Sequence, residues 1–212
     1  NCLESGDIDF EIAALAEPLA ICINALDASE LALNDTVLIM GPGPIGLMLT
    51  LLAKKRGAAR VILAGTKKDK FRLQIGREMG ADDIVFVEEG GHMQAVREAT
   101  RGQGVPLVFE ASGSRNAVID GIGLMRKGGK MILVGIHSRP IELDFNLLVR
   151  QEKTLSGVHG SSPANWLDVL QILRTEGQYL QKLITHRFMI EDAEAAFQTA
   201  RGSEAIKVII RS

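Results

Sequence analysis

Cysteine is scarce in this sequence: two residues in 212, Cys2 and Cys22. That is too few for a disulfide framework, and their separation matches no metal-ligand spacing. They read as reduced thiols. Net charge is nearly absent too, with 24 Lys and Arg against 26 Asp and Glu. The balance removes any electrostatic reason to expect nucleic acid or an acidic membrane surface as partner. A bilayer span needs about 20 apolar residues, and the longest apolar run, 45–53, falls well short. His92, His137, His159 and His186 are scattered and none is set beside a nucleophile, so Ser/His/Asp hydrolysis has no support. His137 reads as a loop residue, not as a catalytic acid. Neither an internal repeat nor a low-complexity segment is visible. Asn1 stands where an initiator Met would, and no charged-then-apolar leader opens the chain. The expectation is a cytoplasmic protein of which this chain is a piece.

What is present builds a core. Hydrophobic residues make up 46% and charged residues 24%, an ordinary balance for a globular protein. From residue 36 onward, apolar strands alternate with amphipathic helices. Strands are predicted at 36–40, 60–64, 84–87, 105–110, 130–135 and 154–158, with Pro106 suited to a strand's first residue. Helices are predicted at 45–56, 70–79, 93–99 and 116–125. A leading helix at 11–26 is kinked, or its start shifted, by Pro18. This order predicts an α/β fold: a Rossmann doubly wound parallel six-stranded sheet, covered on both faces. The tail breaks the rhythm. A helix at 163–175 and a strand at 185–188 precede a helix at 191–201, started by Asp192 and stopped by Gly202. A last strand follows at 205–210. The two tail strands have no obvious place in that sheet.

The first strand runs directly into Gly41-Pro42-Gly43-Pro44-Ile45-Gly46. G-x-G-x-x-G between a strand and a helix marks a dinucleotide-binding turn. Gly41 permits the tight turn, Gly43 lets backbone approach a pyrophosphate, and Gly46 lets the helix pack on the strand. The positive end of the helix, opened by Pro44 and Ile45, faces the phosphates. Ala111-Ser112-Gly113 follows the fourth strand on the carboxyl edge, where open α/β sheets bind ligands. These residues line a cofactor groove or form a routine strand-to-helix turn. Gly135-Ile136, after the fifth strand, offers backbone groups to the nicotinamide.

An NAD-binding Rossmann unit usually carries an acid about 20 residues after its glycines, to hold the ribose hydroxyls. Between Leu47 and Lys68 there is none. The chain reads Gly65-Thr66-Lys67-Lys68 instead, with Asp69 and Arg72 beyond. Gly65 leaves room for a 2′-phosphate, Thr66 can donate a hydroxyl hydrogen bond, and Lys67 supplies charge. The two lysines fit a solvated turn equally well. Asp69 either folds back toward a ribose hydroxyl or caps the next helix. NADP is favoured over NAD.

Several segments together resemble the zinc-type medium-chain alcohol and polyol dehydrogenases, the family of sorbitol and threonine dehydrogenases. They are Ala13-Ala-Leu-Ala-Glu-Pro-Leu-Ala20, the Gly41–Gly46 turn, Glu110-Ala-Ser-Gly113 and Gly128-Gly-Lys-Met-Ile-Leu-Val-Gly135. Glu191-Asp-Ala-Glu-Ala-Ala-Phe197 and Lys207-Val-Ile-Ile210 are similar to that family's C-terminal end. The resemblance implies reversible hydride transfer between a secondary alcohol or polyol and NAD(P), with zinc acting on the alkoxide. It also implies a homodimer or homotetramer associating through the edge strand at 154–158. Within the family, the Gly65-Thr66-Lys67 turn resembles the NADP-using variants.

The resemblance further implies that the zinc-binding catalytic domain is mostly absent. On that reading 1–28 is a linking helix, 29–160 the cofactor domain, and 161–212 a C-terminal α+β return segment whose strands lack sheet partners. Glu17 would be zinc-proximal in the intact enzyme, with the main ligands elsewhere, and no catalytic residue is expected here. Two other readings stay open: a non-catalytic dinucleotide-binding or dimerisation module, and a zinc-free quinone or enoyl reductase relative. Glu17-Pro18-Leu19-Ala20 argues against the second.

Overall fold

Six parallel strands form the main sheet: β1 (Thr36–Met40), β2 (Arg60–Gly65), β3 (Asp83–Phe86), β4 (Val105–Glu110), β5 (Met125–Leu133) and β6 (Thr154–Gly157). Their spatial order is β3-β2-β1-β4-β5-β6, the doubly wound Rossmann arrangement expected from the alternation of elements. This computed structural model describes residues 3–212, so Cys2 lies outside the described residues. Two helices precede the sheet, α1 (Phe10–Ala13) and α2 (Ala16–Ser29). Its crossovers carry α3 (Pro44–Arg56), α4 (Lys70–Glu78), α5 (Gly91–Thr100), α6 (Arg115–Leu124) and the short α7 (Asn146–Val149). The tail comprises α8 (Asn165–Leu180), β7 (Ile184–Met189), α9 (Ala193–Ala200) and β8 (Lys207–Arg211).

Side chains alternate across a strand, so each strand serves two cores. Val37, Ile39, Val61, Leu63 and Phe109 face a cluster that includes Leu19 of α2, Leu47 of α3 and Leu73 of α4. Leu38, Met40, Ile62, Ala64 and Val108 face the other, with Val96 of α5 and Val118 and Ile122 of α6. The first cluster continues through Val169 and Leu173 of α8 to Ile184 and Ile209 of the tail strands. One apolar network therefore joins the tail to the main sheet. Among the described residues, no helix is long and apolar enough to cross a membrane.

Several elements differ from the sequence reading. The single leading helix is two: α1, whose Asp9 carboxylate accepts the Glu11 N–H at 2.8 Å, and α2. Pro18 sits in the first turn of α2, where its missing N–H costs nothing. Pro106 is the second residue of β4, not the first. It is tolerated because the register slips there, Val105 pairing with Met125 and Leu107 with Lys130, while pairing with β1 begins only at Leu107. Helix α8 runs past Thr175 through Gly177, whose bare Cα lies against Ile12. The tail strands, expected to lack the sheet partners of an absent domain, pair with each other in parallel as a separate two-stranded sheet. Asp192 does precede α9, but its side chain makes no capping bond.

Leu19 is fully buried in the cluster shared by sheet and tail. Leu19→Ala should destabilise the chain by about 2–4 kcal/mol, read as a lowered urea midpoint.

Candidate cofactor-binding site

β1 ends at the centre of the sheet, where the chain leaves β2 on one side and β4 on the other. Gly41 then turns with φ of +107°, and its N–H donates to the Ala64 carbonyl at 2.9 Å. A Cβ on Gly41 would stand 2.8 Å from Ser112, so both conformation and close approach require glycine. A Cβ on Gly46 would overlap the Gly41 carbonyl oxygen. Gly43 is different: a Cβ there would meet nothing within 4 Å, leaving open space above bare backbone. Pro44 opens α3 at a position needing no N–H, and the first backbone bond runs from Leu47 to Gly43 at 2.9 Å. The N–H groups of Ile45 and Gly46 thus have no intrahelical acceptor, and no acidic residue occupies the first turn. This is an anion-receptive helix end.

A cleft of about 560 Å³ opens over this turn at the carboxyl ends of β1, β2 and β4. Of the sequence candidates, Gly41, Gly43, Gly65, Thr66, Arg72, Ala111 and Ser112 line it. Pro44, Ile45 and Gly46 form the helix start beside it, and Pro42 takes a place in the lining instead. Lys67 is not in the lining. Gly113, Gly135 and Ile136 also stand outside it, stacked on one another: a Cβ on Gly113 would come within 2.6 Å of the Ile136 carbonyl oxygen. Sequence reasoning missed Glu88, Asn116 and Asp120. Asn116 and Asp120 are four apart on α6, a same-face spacing that carried the only advance signal. Glu88 follows β3, and nothing local marked it.

Three readings of the turn after β2 change. The space at Gly65 is already filled, since a Cβ would lie 2.8 Å from Pro42 Cγ, so this glycine answers to packing and leaves no vacancy for a phosphate. The Thr66 hydroxyl and N–H both donate to Asp69 Oδ2, at 2.6 and 2.9 Å. Asp69 stands at the start of α4 but makes no side-chain capping bond to it; its carboxylate folds back on Thr66 as the third residue of a capping box over 67–69. Arg72 donates to the carbonyls of Ala205, at 2.7 Å, and Gly202, at 3.0 Å, and lies 3.4 Å from Asp69. Its guanidinium ties the cleft wall to the loop after α9.

A family model described as zinc-binding dehydrogenase matches residues 44–175. The chain belongs to that family. D-arabitol-phosphate dehydrogenase of Enterococcus avium is 36% identical to it over 97% of this chain and 58% of the relative. Sorbitol dehydrogenase of Halalkalibacterium halodurans is 33% identical over 96% of this chain and 59% of the relative. The crystal structure of an alcohol dehydrogenase from Thermotoga maritima superposes with a TM-score of 0.88 at 29% identity, covering 99% of this chain and 58% of that one. This family member thus spans a little under three-fifths of the length of the relatives it matches.

Its described residues do not build a zinc site. No group of three or more His, Cys, Asp or Glu that could hold a metal ion occurs among them. Glu17 is exposed, and one carboxylate falls short of the four donors of a tetrahedral site. Cys22 is fully buried, and burial, with Glu17 secondarily, pushes its thiol up from the ordinary value. Its Sγ lies 3.5 Å from the Ile45 carbonyl, beneath the start of α3.

A second buried group braces the far wall of the cleft. Glu110 is fully buried, and its Oε1 accepts from the Ser112 N–H and hydroxyl and the Gly113 N–H, at 2.8, 2.6 and 2.9 Å. Its backbone carbonyl accepts from Val134 and Gly135. Its Oε2 lies 3.5 Å from His137 Nε2. His137 lies in the loop after β5, as expected, and neither its Nε2 nor Glu110 Oε2 has a hydrogen-bond partner among the described residues.

Gly46→Ala should lower stability by about 2–4 kcal/mol, visible in a thermal melt, because the Gly41 turn must open. Cys22 should resist alkylation at pH 8 in the native state and react once denatured, as peptide mass mapping would read.

Proposed function

We propose that this chain is the NAD(P)-binding part of a zinc-dependent oxidoreductase that moves a hydride between a secondary alcohol or polyol and the nicotinamide. The observation that carries the reading is the glycine turn at the strand-order switch, held against Ser112 and opening on the cleft. The Ile45 and Gly46 N–H groups take the pyrophosphate, and Gly43 leaves its backbone bare to it. Thr66, Asp69, Arg72 and Glu88 wall the adenosine end. Ala111 and Ser112 wall the nicotinamide side, with Gly113, Gly135 and Ile136 braced behind them by Glu110. The dinucleotide, when bound, supplies the hydride acceptor or donor.

The division into a linking helix at 1–28, a cofactor domain at 29–160 and a return segment at 161–212 belongs to the same proposal. So do a cytoplasmic setting, a zinc-proximal place for Glu17 and homo-oligomer formation along β6, which ends the sheet order. A polyol substrate is suggested by the D-arabitol-phosphate and sorbitol dehydrogenases among the relatives.

The choice of dinucleotide is the finer proposal: the lack of an acid at the end of β2 supports NADP, and the carboxylates in the lining oppose it, so the balance between the two is set at that end of the cleft. The observation favouring NAD is the pair of carboxylates, Asp69 and Glu88, at the same end. Calorimetric titration of the 212-residue chain with NADH and NADPH should detect dinucleotide binding without added zinc, and no oxidation of sorbitol or other polyols. Tighter binding of NADH would decide the choice against NADP. Zinc-dependent turnover by this chain alone would overturn its role as the cofactor part.

A further inference from the structure

We propose that Glu88 discriminates between the two nicotinamide dinucleotides, by occupying the anion seat that a ribose 2′-phosphate would need. The inference rests on the cofactor cleft proposed above. Backbone N–H groups just past the second strand suit an anion on the ribose, and here one is already taken. Both oxygens of Glu88 accept the Lys67 N–H, at 2.9 and 3.1 Å. The carboxylate is held in place from below. Gly65 pairs with Phe86 across β2 and β3, and the Val87 N–H donates to the Gly65 carbonyl at 2.9 Å, which seats Glu88 directly beside the turn. The Lys67 N–H, before any other cause, keeps the Glu88 carboxyl below its ordinary range, so the group is charged at neutral pH.

Lys67 lends its charge to Glu88, which helps hold that carboxylate in the seat. Arg72 is the one cationic side chain among the described residues lining the cleft, and it already serves Ala205, Gly202 and Asp69. Asp69 adds a second carboxylate, and Asp120 a third, paired at 3.0 Å with His92. A 2′-phosphate arriving here must displace Glu88 from Lys67 and then sit beside it, like charge against like. A 2′-hydroxyl needs neither, because it can donate to a Glu88 oxygen. Glu88 then does from the third strand what an acid at the end of the second usually does. Specificity built on repulsion of the wrong ligand is a common device.

Glu88→Gln tests this, because the amide oxygen can still accept the Lys67 N–H while the charge is gone. NADH and NADPH affinities are measured on the 212-residue chain at low salt, with a thermal melt to verify folding. The NADPH-to-NADH affinity ratio should rise about fivefold or more, and the gain should shrink at high salt as screening grows. A ratio unchanged within about twofold, with both ligands still bound, overturns the inference while leaving the cleft assignment standing. An equal rise in Glu98→Gln, at the end of α5 and so by the sheet edge opposite the cleft, would also overturn it, since that marks a net-charge effect. If neither dinucleotide binds the native chain or the variant, the cofactor reading falls and Glu88 falls with it.

Discussion

The contact between the Gly41 carbonyl and the bare Cα of Gly46 is the constraint from which the rest of this molecule follows. β1 lies mid-sheet, and its chain must leave at the edge and return as a helix packed on the strand it has just left. That reversal is sterically open only where Gly41 adopts φ of +107° and Gly46 carries no side chain. Ser112 closes on Gly41 from the end of β4, so the turn is clamped between neighbouring strands. The same geometry leaves Ile45 and Gly46 N–H groups without acceptors at the start of α3. A structural demand and an anion site thus arise from one turn.

Glu110 does for the far wall what the glycines do for the near one. Its side chain gathers Ser112 and Gly113 while its backbone carbonyl gathers Val134 and Gly135. Three donors converge on one oxygen of this buried side chain, while the other oxygen has no hydrogen-bond partner among the described residues. The loops after β4 and β5 are thereby fixed to one another. The end of the cleft beside β2 and β3 is built on other terms, with carboxylates at Asp69, Glu88 and Asp120 and a guanidinium drawn off to the tail.

Much of this was legible in the order of residues. Six strands, their alternation with helices and the glycine turn follow from hydrophobic periodicity and from φ requirements, which are local. The misreadings have local causes as well. Pro106 looked like a strand start because the slip in pairing that accommodates it depends on a neighbour, Lys130, far along the chain. Gly177 lies within α8 because Ile12 covers it, a contact between residues more than 160 apart. β7 and β8 have each other as partners, since pairing is decided by which strands meet.

The sequence by itself determined the fold class, the family and the position of the glycine turn, because glycine spacing and strand periodicity are properties of short segments. Only the tertiary structure decided what each group in the turn after β2 is engaged with. Pro42 fills the space at Gly65, Asp69 is spent on Thr66, Arg72 reaches Gly202 and Ala205, and Glu88 crosses from β3 to the Lys67 N–H. Three of these four join residues at least 21 positions apart, set side by side by strand pairing and by the docking of the tail. No pattern along the chain encodes that adjacency, because it exists only once the sheet has formed.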